Sequence, residues 1–292
     1  MRPGRILLLL LVLGASACAP NRAESSQPAV TEEGVPQVGP ARGALVLAGG
    51  GQLGPEIWNR FVQLSGGSRS RIVVIPTAST DEDIVAGISA LHQITAAGAG
   101  EVLLLHTRDR READSEEFVR SLRGATGIWL VGGRQWRLVD AYLHTRTHRE
   151  LFNVLNRGGV IGGTSAGASI QASYLARGDP ATNQILMAQG YEEGFGFLLN
   201  AAVDQHLLAR NREDDLWELI HTRPSLLGIG VDEGTALVVR GNRAEVLGRS
   251  GVAIYNGLGD VGRPLLLHDG EVYDLGHRLV VVGRAVTESG SR

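Results

Sequence analysis

The chain has 292 residues, 43% hydrophobic and only 5% aromatic, with 40 glycines, one cysteine and a formal net charge of −3. That length supports one large core burying roughly three quarters of its unfolded surface. The slightly acidic balance gives no general electrostatic case for nucleic acid, and a lone thiol excludes an internal disulfide or a thiolate metal site.

At the N-terminus, Arg2 and Arg5 precede an apolar run from Ile6 to Leu13, followed by Gly14-Ala15-Ser16-Ala17-Cys18. Positive charge, a short apolar stretch and small residues make a secretory signal. The pattern resembles a bacterial lipoprotein signal, with Cys18 as the lipidated first residue of the mature chain. Ordinary signal-peptidase cleavage is the alternative, because Ala15 is tolerated rather than favoured at its position. The protein is therefore expected to be exported. It would be held at the periplasmic or cell-surface side of a membrane by lipid alone, or be secreted. Residues 19 to 41 are rich in Pro, Ser, Glu and Gly without periodicity, which reads as a flexible tether. That places one folded domain over 42–288. Beyond residue 20 no stretch is long and apolar enough to span a bilayer.

Ala44 to Ala48 is a short apolar run, a buried first strand, and it enters Gly49-Gly50-Gly51-Gln52-Leu53-Gly54. An amphipathic helix follows (Ile57, Trp58, Phe61, Val62, Leu64) and stops at Gly66-Gly67. Arg71 to Pro76 reads as a second strand, Asp81 to about Ala97 as a helix, and Glu101 to Leu105 as a third strand. Ser115 caps a helix to Leu122. Ile128 to Val131 is the fourth strand, entering Gly132-Gly133-Arg134-Gln135, and one helix is predicted over 138–155. The fifth strand is 159–163, and residues 170–175 read as helical. Alternating strands and helices predict an α/β fold: a mostly parallel sheet with helices on both faces. From about Gly234 short strands with turns (235–240, 244–247, 251–255, 271–273, 279–282) predict an antiparallel extension. Ligands in such sheets bind beyond the carboxyl ends of the strands, where the glycine clusters fall.

Gly163-Thr164-Ser165-Ala166-Gly167 fits G-x-S-x-G, the strand–turn–helix elbow that projects a serine hydroxyl from the top of a sheet. Small neighbours suit a strained turn where helix and strand nearly touch. Gly49-x-Gly51-x-x-Gly54 also fits a dinucleotide fingerprint, but no acid ends the second strand to hold a ribose. His144 and His148 share a helical face without the glutamate of a zinc-protease helix. A serine nucleophile needs a base, and the base an orienting carboxylate. Ser165, His206 and either Asp232 or Glu233 supply these roles in the order Ser…His…acid. His268 or His277, beside Asp269 and Asp274, would give the order of an α/β-hydrolase instead.

Three blocks, Gly162–Ala168, Asp204-Gln205-His206 with Arg210 and Arg212, and Gly228–Ala236, resemble the signature blocks of cyanophycinases. These are serine peptidases related to dipeptidase E, on a fold like that of class I glutamine amidotransferases. The resemblance covers roughly residues 43–256. It implies Ser165 as nucleophile, His206 as general base and Glu233, rather than Asp232, as orienting acid. Gly133 and Ala166 would supply oxyanion-hole N–H groups, and Gln135, Asp204, Gln205, Arg210 and Arg212 would line the substrate site. Two arginines near the base suit bidentate grip of a substrate carboxylate. The implied substrate is cyanophycin, cut to β-Asp-Arg dipeptides, or a related aspartyl or β-aspartyl peptide; no metal or organic cofactor is implied, and homodimerisation is left open. One departure stands out: Asp214 and Asp215 occupy the region where cyanophycinases tend to carry a third arginine. Two readings compete with a peptidase: a catalytically silent lipoprotein that captures acidic peptides, and an esterase or amidase of α/β-hydrolase type.

Overall fold

In the computed structural model, residues 34–80, 84–257 and 262–281 are described. Strands β1 (Ala44–Ala48), β2 (Arg71–Ile75), β3 (Glu101–Leu104), β4 (Gly127–Leu130) and β5 (Val160–Thr164) run parallel in the order β1-β5-β4-β2-β3. Their side chains alternate between two cores, as the two-residue period of a strand requires. Val46, Ile72, Val74 and Trp129 turn to one face, where α1 (Pro55–Leu64) and α2 (Ile84–Ala96) bring Ile57, Trp58, Phe61, Ala90 and Ile94. The Trp129 ring lies 4.6 Å from Trp58 and 4.8 Å from Phe61, a tilted and an edge-on contact that suit ring quadrupoles. Leu45, Leu47, Val73, Ile75, Ile128 and Leu130 turn to the other face. There lie the short helices α3 (Arg110–Ala113) and α4 (Glu116–Val119), then α5 (Gln135–Tyr142), α6 (Arg146–Asn156) and the single-turn α7 (Ala166–Ser169).

A second sheet covers the rest of that face. β6 (Ala172–Tyr174), β7 (Leu198–Gln205) and β8 (Leu227–Val231) are parallel, and α8 (Asp215–Thr222) packs Leu216, Leu219 and Ile220 on the sheet's outer side. The chain then leaves β8 through Asp232-Glu233-Gly234 and enters the first sheet as β9 (Thr235–Arg240), antiparallel to β1, and β10 (Arg243–Gly248). It returns to the second sheet as β11 (Gly251–Asn256) and β12 (Leu265–His268), and closes the first with β13 (Val272–Asp274) and β14 (Leu279–Val280). Among the described residues the two sheets hold nine and five strands. The α/β class, the parallel centre and the antiparallel C-terminal strands match the sequence reading.

Four local readings need correction. The helix predicted over 138–155 is two helices, because His144 takes φ 63° and Thr145 starts α6 by accepting from the His148 N–H. Residues 170–175 are not helical. Ala172-Ser173-Tyr174 alternates buried, half-buried, buried and pairs with β7, and period 2 outweighs weak helix propensity. Strand β12 was not anticipated, and the segment at 279–282 gives a strand only at Leu279–Val280. The domain also begins before residue 42. Val38 is buried, its N–H donates to Asn242 Oδ1 at 2.8 Å and its carbonyl accepts from Leu199 at 2.7 Å. Residues 36–40 of the predicted tether thus belong to the fold. Cys18, the tether to residue 33 and the predicted helix start at Asp81 lie outside the described residues.

Candidate active site

Three strand ends meet at the carboxyl edge of the parallel strands. Ser165 follows β5 with φ 54° and ψ −114°, a backbone conformation that L-residues avoid and that surrounding bonds must hold. Its N–H donates to Ala48 at 2.9 Å, and its carbonyl accepts from Ala168 and Ser169 at the start of α7. The crossing of strand and helix leaves no room for side chains: a methyl group on Gly163 would lie 2.2 Å from the Gly167 carbonyl. This is the elbow that the small residues predict.

His206 follows β7 and Glu233 lies in the turn where the chain crosses from β8 to β9. His206 Nε2 is 2.9 Å from Ser165 Oγ, and its Nδ1 is 2.6 Å from Glu233 Oε1. The β1–α1 loop pins both: the His206 N–H donates to Gly49 O at 3.1 Å, and the Gly234 N–H to Gly50 O at 2.9 Å. Gly50 has φ 129°, and a methyl group there would strike the His206 ring at 2.2 Å; one on Gly51 would meet Glu233 Oε2 at 2.5 Å. The glycines that imitate a phosphate loop therefore make room for an imidazole and a carboxylate. Burial pushes His206 below the usual histidine range; Glu233 opposes that, and the charges of Arg210 and Arg212 add to it. Neutral imidazole is the form a general base needs.

Asp232 does different work. Its Oδ1 accepts the N–H groups of Leu208 and Ala209 at 3.0 Å, and its Oδ2 accepts the Ser250 hydroxyl at 2.6 Å. Burial opposes its charge, but Ser250 and the backbone N–H groups hold its carboxyl below the usual range. It anchors the turn that carries His206, and the open choice between the two acids falls to Glu233 on geometry.

The five residues read as substrate-lining separate into two kinds. Arg210 is exposed. The other four are buried in internal bonds. Gln135 Nε2 donates to Ala176 O at 3.2 Å, and Arg212 Nη1 donates to the carbonyl and Oε1 of Gln205, both at 3.1 Å. Asp204 is 0% exposed and accepts from Arg177 Nε at 2.9 and 3.0 Å and from Arg177 Nη2 at 2.9 Å. Arg177, itself 1% exposed, also pairs with Asp215 and donates to the carbonyls of Asn183 and Gln184. A charge taken out of water demands such partners. Asp215, which departs from the cyanophycinase pattern, is one of them. Arg177 was missed from sequence; the available signal was Asp204 in the apolar run Ala201-Ala202-Val203, which calls for a buried cation without saying where it lies.

Gly132 borders the nucleophile: a methyl group there would sit 3.3 Å from Ser165 Cβ and 3.9 Å from its Oγ. Gly133 follows, and neither its N–H nor that of Ala166 donates to a partner among the described residues. The rival histidines are elsewhere. His277 bonds Asp274 near the edge of the nine-stranded sheet, and His268 is on the edge strand β12. His148 is packed in the core with Nε2 2.9 Å from Phe195 O, and His144 pairs with Glu193. No group of three or more metal-ligating side chains occurs among the described residues.

A serine–histidine–glutamate relay on a strained elbow at the carboxyl edge of an α/β sheet defines a serine hydrolase. The family model of peptidase family S51 matches residues 45–247, and the chain belongs to that family, a family of serine-type peptidases. The chain is 30% identical over 253 residues to the cyanophycinase of Geminocystis herdmanii, covering 81% of this chain and 92% of that one. To the cyanophycinase of Synechococcus elongatus it is 34% identical over 260 residues, 80% of each. Among solved structures, a peptidase from an acI-B1 Actinobacterium superposes with a TM-score of 0.64 at 26% identity, covering 82% of this chain and 97% of that one.

Proposed function

We propose that the protein is an exported, lipid-anchored peptidase of cyanophycinase type that cuts cyanophycin or related aspartyl and β-aspartyl peptides through an acyl-enzyme. The observation that carries this reading is the continuous contact from Ser165 Oγ through His206 to Glu233. Ser165 Oγ attacks the amide carbonyl as His206 Nε2 takes its proton. The same proton then passes to the leaving amine, and water, deprotonated by His206, releases the acyl group. Glu233 accepts the Nδ1–H, which fixes the tautomer and supports the imidazolium that forms. The N–H groups of Gly133 and Ala166 would stabilise the oxyanion. Arg210, exposed beside His206, is the cation best placed to attract an acidic substrate.

Labelling tests the nucleophile. A fluorophosphonate probe should modify the full chain at Ser165 and leave Ser165→Ala unmodified. Labelling at another serine overturns the assignment, and no labelling at all favours a silent binding protein. The anchor has its own test. In a bacterial host the wild type should partition into detergent and Cys18→Ser into the aqueous phase; equal partitioning would refute lipidation.

A further inference from the structure

Beside the nucleophile lies a second opening that the relay does not use. A pocket of about 320 Å³ sits between α1, α2 and the carboxyl edge of the nine-stranded sheet. Its lining includes Gly51, Gly132 and Thr164, the residues against Glu233, against Ser165 and just before Ser165. Leu53, Trp58, Ala90, Trp129 and Val131 give it apolar walls, and Gln52, Ser89, Gln93 and Thr164 are its polar contributors. None of its lining residues among those described carries a charge.

We propose that this pocket receives an uncharged, apolar or aromatic side chain next to the scissile bond, on the partner of the substrate's acidic residue. This rests on the peptidase reading above and narrows its substrate to aspartyl or β-aspartyl peptides with a partner such as Leu or Phe. Two observations argue against an arginine partner. Among the described residues the pocket lining offers a guanidinium no carboxylate, so an arginine there would have only the indole faces to set against its lost hydration. The buried acid just before the base, Asp204, is already saturated by Arg177. An apolar side chain, in contrast, gains from contact with the two indole rings.

The test compares kcat/KM of the full chain on Asp-Gly, Asp-Leu, Asp-Phe, β-Asp-Leu and β-Asp-Arg. The Leu and Phe peptides should exceed their Gly and Arg counterparts by about tenfold or more, the scale on which apolar pockets discriminate. Ala90→Phe fills the pocket and should lower the Phe-to-Gly ratio about tenfold, chiefly through KM, because lost binding common to ground and transition states appears there. Gln93→Glu, at an exposed rim position that folding tolerates more readily, should raise the Arg-to-Leu ratio. Fluorophosphonate labelling of each variant reports whether the relay is intact. Cleavage of these peptides with no preference, or ratios that neither variant moves, overturns the pocket assignment and leaves the peptidase reading standing. No cleavage of any of them by the wild type overturns the aspartyl-peptide reading and this inference together.

Discussion

Gly50 carries as much of the site as the groups that react. Its φ of 129° and the 2.2 Å approach of a would-be methyl group to the His206 ring mean that Gly50→Ala must displace the imidazole or the loop. A 1 Å misplacement of a reacting group costs on the order of a hundredfold. Gly50→Ala should therefore lose about that much kcat with little change in KM, and an unchanged kcat would show the loop to be passive. Proton chemistry at His206 gives a second prediction. Burial holds it neutral below the ordinary histidine value of 6.5, so activity should be full above that value. It should fall as pH drops through the lowered value and the ring gains a proton. An acid limb centred above 6.5 would contradict the assignment. Ser165 and the acids at 232–233 were legible in sequence because each sits in a glycine-bounded motif beside an apolar run; His206 has no glycine near it along the chain and stood out only beside those two blocks. The acid's identity was not legible, since Asp232 and Glu233 are adjacent and only the fold shows which reaches Nδ1.

At the scale of elements, the relay joins two sheets: Ser165 follows a strand of the first, His206 a strand of the second, and Glu233 the turn between them. Whatever fixes that junction positions the base. Arg177 ties the segment after β6 to Asp204 at the end of β7 and to Asp215 at the start of α8. Arg177→Met leaves Asp204 buried without its strongest partner, and breaking a buried pair on one side costs about 3–5 kcal/mol. Urea unfolding should show a loss of that order, and a loss below about 1 kcal/mol would mean that Asp204 finds another partner. The elements read correctly were those with clear period or bounded apolar runs, the parallel strands above all. The misread helices at 138–155 and 170–175 have different causes. His144 adopts a left-handed conformation and Thr145 caps the next helix, while the residues after α7 are drawn into a sheet by β7, which is distant in sequence.

Over the whole molecule, the chain enters the fold at the amino ends of the parallel strands, where Val38 and Pro36 bond to Asn242 in the β9–β10 turn. The site opens at the opposite, carboxyl end. If Cys18 carries lipid as proposed, the tether meets the domain at the edge away from the site. Cys18→Ser should then leave kcat/KM on a soluble dipeptide within about twofold of the lipidated protein, since the site does not depend on the anchor. A large loss would argue that membrane attachment shapes the site. Family and fold class were within reach of the sequence because three motif blocks occur in order. The split into two sheets was not, because strands of both alternate along the chain after residue 198.

In the proposed reaction Ser165 attacks an aspartyl or β-aspartyl amide. The most direct measurement is peptide release from cyanophycin and from aspartyl and β-aspartyl dipeptides by the full chain, beside Ser165→Ala of matched circular dichroism and unfolding midpoint. The wild type should turn over at least one of these substrates, and the variant should be slower by 10⁴-fold or more, roughly the scale of losing a relay nucleophile. Turnover retained by Ser165→Ala would contradict this mechanism.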